Sequence, residues 1–187
     1  MKKAIMLGTV LLMIPMAAFT QLPDLGYIGL FADAARDTFC AWGAPVFFFD
    51  MYVWCLPGDH GLKCAEFAVL YPESGIFAGV ATQNPALSVA QGSLAGGMSC
   101  CFLECQWDWQ WTHTQTIIVQ VDTPLIFEII PSPVPIPPVY QFANCDTIPI
   151  KYPKEPCTKF TNLYVNTCGP TAVEETSWGA IKSLYRD

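Results

Sequence analysis

Residues 98–113, MSCCFLECQWDWQWTH, bring together three cysteines, three tryptophans and one of the chain's two histidines. Three chemistries are open to such a stretch. Thiolates and an imidazole can ligate a soft metal, and Cys101, Cys105 and His113 stand as C-x3-C-x7-H. A structural zinc site takes four ligands at short spacings, and His60 is the only other imidazole, so no metal is expected. Aromatic rings beside polar groups can instead hold a carbohydrate, the sugar C–H face stacking on the ring while its hydroxyls bond to the polar groups. Trp107, Trp109 and Trp111 with Asp108 form one such candidate. Tyr52 and Trp54, on a common strand face with Phe48 and Asp50, form a second.

The third chemistry is packing alone. If 101–111 is one strand, Cys101, Leu103, Cys105, Trp107, Trp109 and Trp111 share a wholly apolar face, opposite Phe102, Glu104, Gln106, Asp108 and Gln110. That is the pattern of a face buried against a second sheet, and burial is the expected role of the tryptophans. A strand continued through TQTIIVQV would run from 101 to 121, far beyond the usual three to ten residues. A turn therefore falls within 106–113, and tryptophans in that turn would be exposed.

Catalysis finds little to work with. There is no G-x-S-x-G elbow and no H-E-x-x-H pair. Glu104 and Asp108 can be written as an acid and a base, but nothing in the sequence sets their separation. No enzymatic activity and no cofactor are expected.

The elements that must position these residues start after a leader. Met1-Lys2-Lys3 followed by apolar residues from Ala4 to Phe19 has the form of a secretory signal peptide, with an exit after Ala18 or Thr20. Pro15 interrupts it, and it is shorter than the roughly 20 apolar residues of a membrane span. The expected organisation is a signal peptide over 1–20, one domain over 21–170 and a tail over 171–187, with no membrane span after cleavage. Loss of Lys2 and Lys3 leaves seven basic residues against sixteen acidic ones, a net charge of −9. Such a surface repels phosphate backbones, so nucleic acid is not an expected partner.

An exported chain meets an oxidising compartment, and its nine cysteines are read as disulfides. Cys55 and Cys64 bracket the turn-rich LPGDHGLK and are expected to face each other across a hairpin. Cys157 and Cys168 bracket TKFTNLYVNT and are paired likewise. Cys101 and Cys105 share a strand face but lie about 13 Å apart, too far for a mutual bond. They should reach for Cys40 and Cys145, in an order the sequence leaves open, with Cys100 remaining as the free thiol.

Strand-like runs bounded by Gly, Pro, Asn and Asp recur along the domain: YIGLFAD, PVFFFDMYVWC, KCAEFAVLY, GIFAGVAT, ALSVAQ, MSCCFLEC, TQTIIVQVD, PLIFEII, VYQFANC and FTNLYVN. Without long helical periods between them, they specify an all-β, two-sheet antiparallel β-sandwich of about eight to ten strands, stapled by disulfides. PSPVPIPPVY reads as an extended connector between sheets, or as a ligand for an aromatic groove. In the tail, Thr176 or Ser177 can cap a short amphipathic helix with Trp178, Ile181 and Tyr185 on one stripe. That stripe either covers the sandwich or is read by another protein.

The segment GLKCAEFAVLYPESGIFAG resembles the strand-loop segment of cohesin-type and related carbohydrate-binding jelly-roll modules. Gly61, Phe67, Val69, Tyr71 and Pro72 match their pattern, with Val in place of Leu and without the acidic residue before the proline. GYIGLFAD, YQFANC and AVEETSWGAIKSLYR are similar to short secreted bacterial proteins of unassigned function. Neither resemblance transfers a functional residue, and the first implies a sandwich, jelly-roll or cohesin-like. The expected function is an exported non-catalytic binding or structural module, secreted outside the cell or into a periplasm, whose partner is an unknown exported protein or a glycan. The alternative is a carbohydrate-binding module that uses exposed aromatics to hold a glycan.

Overall fold

The computed structural model describes residues 26–133, 141–146, 154–156 and 159–167. Among them are fourteen strands and no helix. In chain order they are β1 (Tyr27–Phe31), β2 (Cys40–Ala41), β3 (Phe47–Leu56), β4 (Leu62–Leu70), β5 (Ile76–Ala78), β6 (Thr82–Gln83), β7 (Leu87–Ser93), β8 (Gly97–Gln106), β9 (Gln110–Val119), β10 (Leu125–Ile130), β11 (Gln141–Ala143), β12 (Lys154–Pro156), β13 (Lys159–Thr161) and β14 (Leu163–Val165). The signal segment, the Cys157–Cys168 pair and the tail helix lie outside the described residues.

Two sheets face each other. The first runs β13-β1-β3-β9, with β5 and β6 sharing the far edge of β9. In the second, β4 is central: β8 and then β7 lie on one side, while β11 and β10 divide the other. β12 continues from β11, and β14 and β2 continue from β10. The ladders are antiparallel except β1 with β13 and β14 with β2, which are parallel. The sandwich is thus mixed where purely antiparallel pairing was expected, and it has more strands. The extra members are two- and three-residue edge pieces, too short to carry a readable period.

The core fills by alternation. Met51, Val53 and Cys55 of β3 and Ile117 and Val119 of β9 point inward from the first sheet, against Phe67, Cys100, Phe102 and Phe127 of the second. Each fully buried phenylalanine contributes about 1.5–3 kcal/mol of transfer free energy.

Two expectations are corrected here. The first concerns β8, whose inward face is Met98, Cys100 and Phe102, leaving Leu103 72% exposed. The strand ends at Gln106, and the chain then crosses to the other sheet, where β9 begins. Trp107, 66% exposed, therefore belongs to the crossing and not to a buried strand face. The second concerns Cys55 and Cys64. Their connection joins strands of opposite sheets and is no hairpin, so Cys55 is a buried thiol in the core. Cys64 sits directly across the β4–β8 ladder from Cys101, Cα to Cα 4.0 Å, and is bonded to it. Cys105 is bonded to Cys145, Cys40 is also disulfide-bonded, and Cys100 is a buried thiol.

Candidate functional site

The outer face of the first sheet carries most of the aromatic residues singled out in the sequence. Along β3 it presents Phe48, Asp50, Tyr52 and Trp54. Register places Phe31 beside Tyr52, Gly29 beside Trp54, and Trp111 across from Trp54 on the other flank. A slip between Val53 and Trp54 produces that last pairing, turning Trp111 outward while Thr112 is buried.

At this end the rings serve the fold. Trp109 packs edge-on against Tyr27 and Phe31, with centroids at 5.4 and 6.2 Å. Gly29 makes the room: a Cβ there would lie 2.5 Å from Phe31 Cε2 and 2.8 Å from Tyr27 Cε1. The Arg36 guanidinium lies over both Trp54 and Trp109, 4.6 and 5.1 Å from the ring centres, an arrangement in which cation–π attraction holds it. Those ring faces are occupied by the protein's own cation. Trp107 and Asp108 sit apart in the β8–β9 crossing, where Asp108 Oδ1 accepts the Trp109 N–H at 2.6 Å. The structure thus brings Tyr52, Trp54, Trp109 and Trp111 to one face and leaves Trp107 and Asp108 out of it.

The other end of the same face is open. Phe48 of β3, Ile118 of β9 and Phe77 of β5 stand in one row across three hydrogen-bonded strands. Phe48 is 77% exposed and Phe77 60%. Next to the row, Thr116 Oγ1 donates to Asp50 Oδ1 at 2.6 Å. Phe77 escaped the sequence reading because a three-residue strand in GIFAG has no phase to read, and Arg36 escaped it because nothing in sequence places it near a tryptophan.

A second feature lies on the inner side. A cavity of about 580 Å³ opens between the β5–β6 edge of the first sheet and the β7–β8 edge of the second. His113 and Gln115 wall it from β9, and Tyr71 stands opposite Gln115, donating its O–H to Gln115 Oε1 at 2.5 Å. Burial lowers the His113 pKa to about 4 and pushes the Tyr71 phenol up to about 12, so both are neutral near pH 7. Burial likewise pushes the Cys100 thiol up to about 12, the opposite of what a reactive cysteine needs. Of the C-x3-C-x7-H set, Cys101 and Cys105 are consumed in disulfides and His113 lies in the other sheet. His60 Nδ1 lies 2.6 Å from Asp146, beside the Cys105–Cys145 bond.

No protein-family model matches the chain, and no curated protein matches it in sequence. Solved structures to which it is similar include cohesin modules. One is the seventh ScaB type I cohesin from Pseudobacteroides cellulosolvens, with a TM-score of 0.50 at 9% identity over 79% of this chain and 95% of that one. Another is the cohesin module of a family 33 glycoside hydrolase from Clostridium perfringens, with a TM-score of 0.52 at 9% identity over 76% of this chain and 98% of that one. A third belongs to a type I cohesin–dockerin complex from Clostridium thermocellum, with a TM-score of 0.50 at 6% identity over 75% and 93%. At these identities the likeness shows a fold: the chain is a cohesin-like β-sandwich.

Proposed function

We propose that this chain is an exported, non-catalytic protein-interaction module that docks its partner on the open end of the outer face, at Phe48, Ile118 and Phe77. The observation that carries the reading is that row itself. Two phenylalanines more than half exposed, on adjoining ladders of one sheet, form an apolar patch of the kind that marks interaction surfaces. Asp50 and Thr116 supply the polar rim such interfaces carry. Support comes also from the third similar structure, in which a sandwich of this shape is found in complex with a dockerin. Export is supported by the Cys64–Cys101 and Cys105–Cys145 bonds, which persist in oxidising compartments, and by the leader-like sequence of residues 1–20. The glycan alternative is less favoured, because Arg36 already covers Trp54 and Trp109.

The test passes exported proteins of the source cell over the immobilised chain and over its Phe48→Asp/Phe77→Asp variant. Wild type should retain a stoichiometric partner that the variant loses, with unchanged melting temperature because both side chains are exposed. Retention on insoluble polysaccharide that survives the double substitution and fails on Trp109→Ala would overturn the reading in favour of carbohydrate.

A further inference from the structure

We propose that the cavity between the β5–β6 edge and the β7–β8 edge is a binding site for a small uncharged molecule with an apolar body and one hydroxyl. The inference is independent of the docking face, which lies on the opposite side of the same sheet.

Two observations converge on it. The inward face of β9 reads His113, Gln115, Ile117, Val119, so two polar residues stand where alternation calls for apolar ones, and both of them wall the cavity. Departures from pattern of this kind concentrate at functional sites. The second observation is hydrogen bonding. Gln115 is used twice, accepting from Tyr71 and donating from Nε2 to the Gly79 carbonyl at 2.6 Å. His113 is different: it is 3% exposed and its buried Nδ1 has no hydrogen-bond partner. A buried polar atom left unsatisfied is rare and calls for an explanation.

The walls define the ligand. The cavity volume of about 580 Å³ falls within the range of small-molecule pockets. Ala78, Ala81, Ala90 and Gly92 leave the space open, while Leu94 and Met98 offer apolar contact. No charged side chain lines it, so neither an anion nor a cation would find a counter-charge there. A neutral imidazole nitrogen donates or accepts according to tautomer, and a hydroxyl answers either.

The probes are 2-naphthol, naphthalene and 2-naphthoate, titrated at pH 7 into the full chain while the His113 ring resonances are followed by NMR. 2-Naphthol should bind saturably, shift the His113 ring, and bind about tenfold tighter than naphthalene, the worth of one hydrogen bond. 2-Naphthoate should not bind saturably. Ala90→Leu, which fills one wall, should abolish binding, and His113→Leu should erase the preference for naphthol. If His113→Leu does not fold, the wild-type ring shift and Ala90→Leu still decide. Absence of saturable naphthol binding, equal affinity for naphthol and naphthalene, or undiminished binding by Ala90→Leu would overturn the proposal.

Discussion

His113 gives the stability of this domain a specific acid dependence. In the unfolded chain its imidazole takes a proton near its ordinary pKa of 6.5, whereas in the folded chain burial delays protonation to about 4. Between those values the unfolded state binds more protons, so stability falls as pH falls. The stability that neutral burial contributes is fully present above pH 6.5 and is lost on the way down through pH 4. A depression from 6.5 to about 4 corresponds to about 3 kcal/mol over that interval. Tyr71, the titratable neighbour across the cavity, stays neutral throughout because its pKa is raised to about 12. The assay is urea unfolding at half-unit steps from pH 7.5 to 4, on wild type and on His113→Gln. Contributions from surface carboxylates are common to both and cancel in the difference. Wild type should lose about 3 kcal/mol relative to the variant across the window. Parallel stability curves for the two proteins would refute the reasoning, since they would mean that His113 titrates alike folded and unfolded.

Other outcomes follow from the same packing. Non-reducing peptide mapping should find Cys64 linked to Cys101 and Cys105 to Cys145. Replacing Cys64 and Cys101 by serine, at a sequence separation of 37, should cost about 4 kcal/mol on the chain-entropy account, read as a lower urea midpoint. Phe102→Ala should cost about 3–5 kcal/mol, while Leu103→Ala, on the exposed side of β8, should change stability by less than about 0.5 kcal/mol. Gly92→Ala should cost about 1–3 kcal/mol in thermal unfolding, because φ there is +96° and a Cβ would lie 2.0 Å from the Gly97 carbonyl oxygen. Cys100 should resist alkylation until the chain is unfolded, its thiol being buried and its pKa raised to about 12.

What the sequence made legible was what has a period. The alternation of Ile117 and Val119 against Thr116 is the inside and outside of β9, and the long apolar runs became β3, β4, β8 and β10. The phase of β8 was not legible, because Cys100 and Phe102 on one face and Cys101 and Leu103 on the other are both apolar. Counting on through Trp107, Trp109 and Trp111, which lie beyond the strand's end, tipped the choice to the wrong face. The Cys55–Cys64 expectation failed for a related reason. Pro57, Gly58 and Gly61, the last at φ +71°, serve a crossing between sheets as well as they serve a hairpin, and only the partner strand tells the two apart. The aromatic residues were found but their neighbours were not. Arg36 reaches Trp54 and Trp109, and Phe77 reaches the Phe48 row, only through contacts distant in sequence.

Hydroxyl-radical footprinting of the chain with and without its retained partner reads the docking face itself. Phe48 and Phe77 on the outer face of the first sheet, and Leu103 and Val89 on the second, are all exposed in the isolated protein and so all available to the reagent. The partner should protect Phe48 and Phe77 while Leu103 and Val89 react as before. Protection of Leu103 and Val89, with Phe48 and Phe77 still fully reactive, would contradict it.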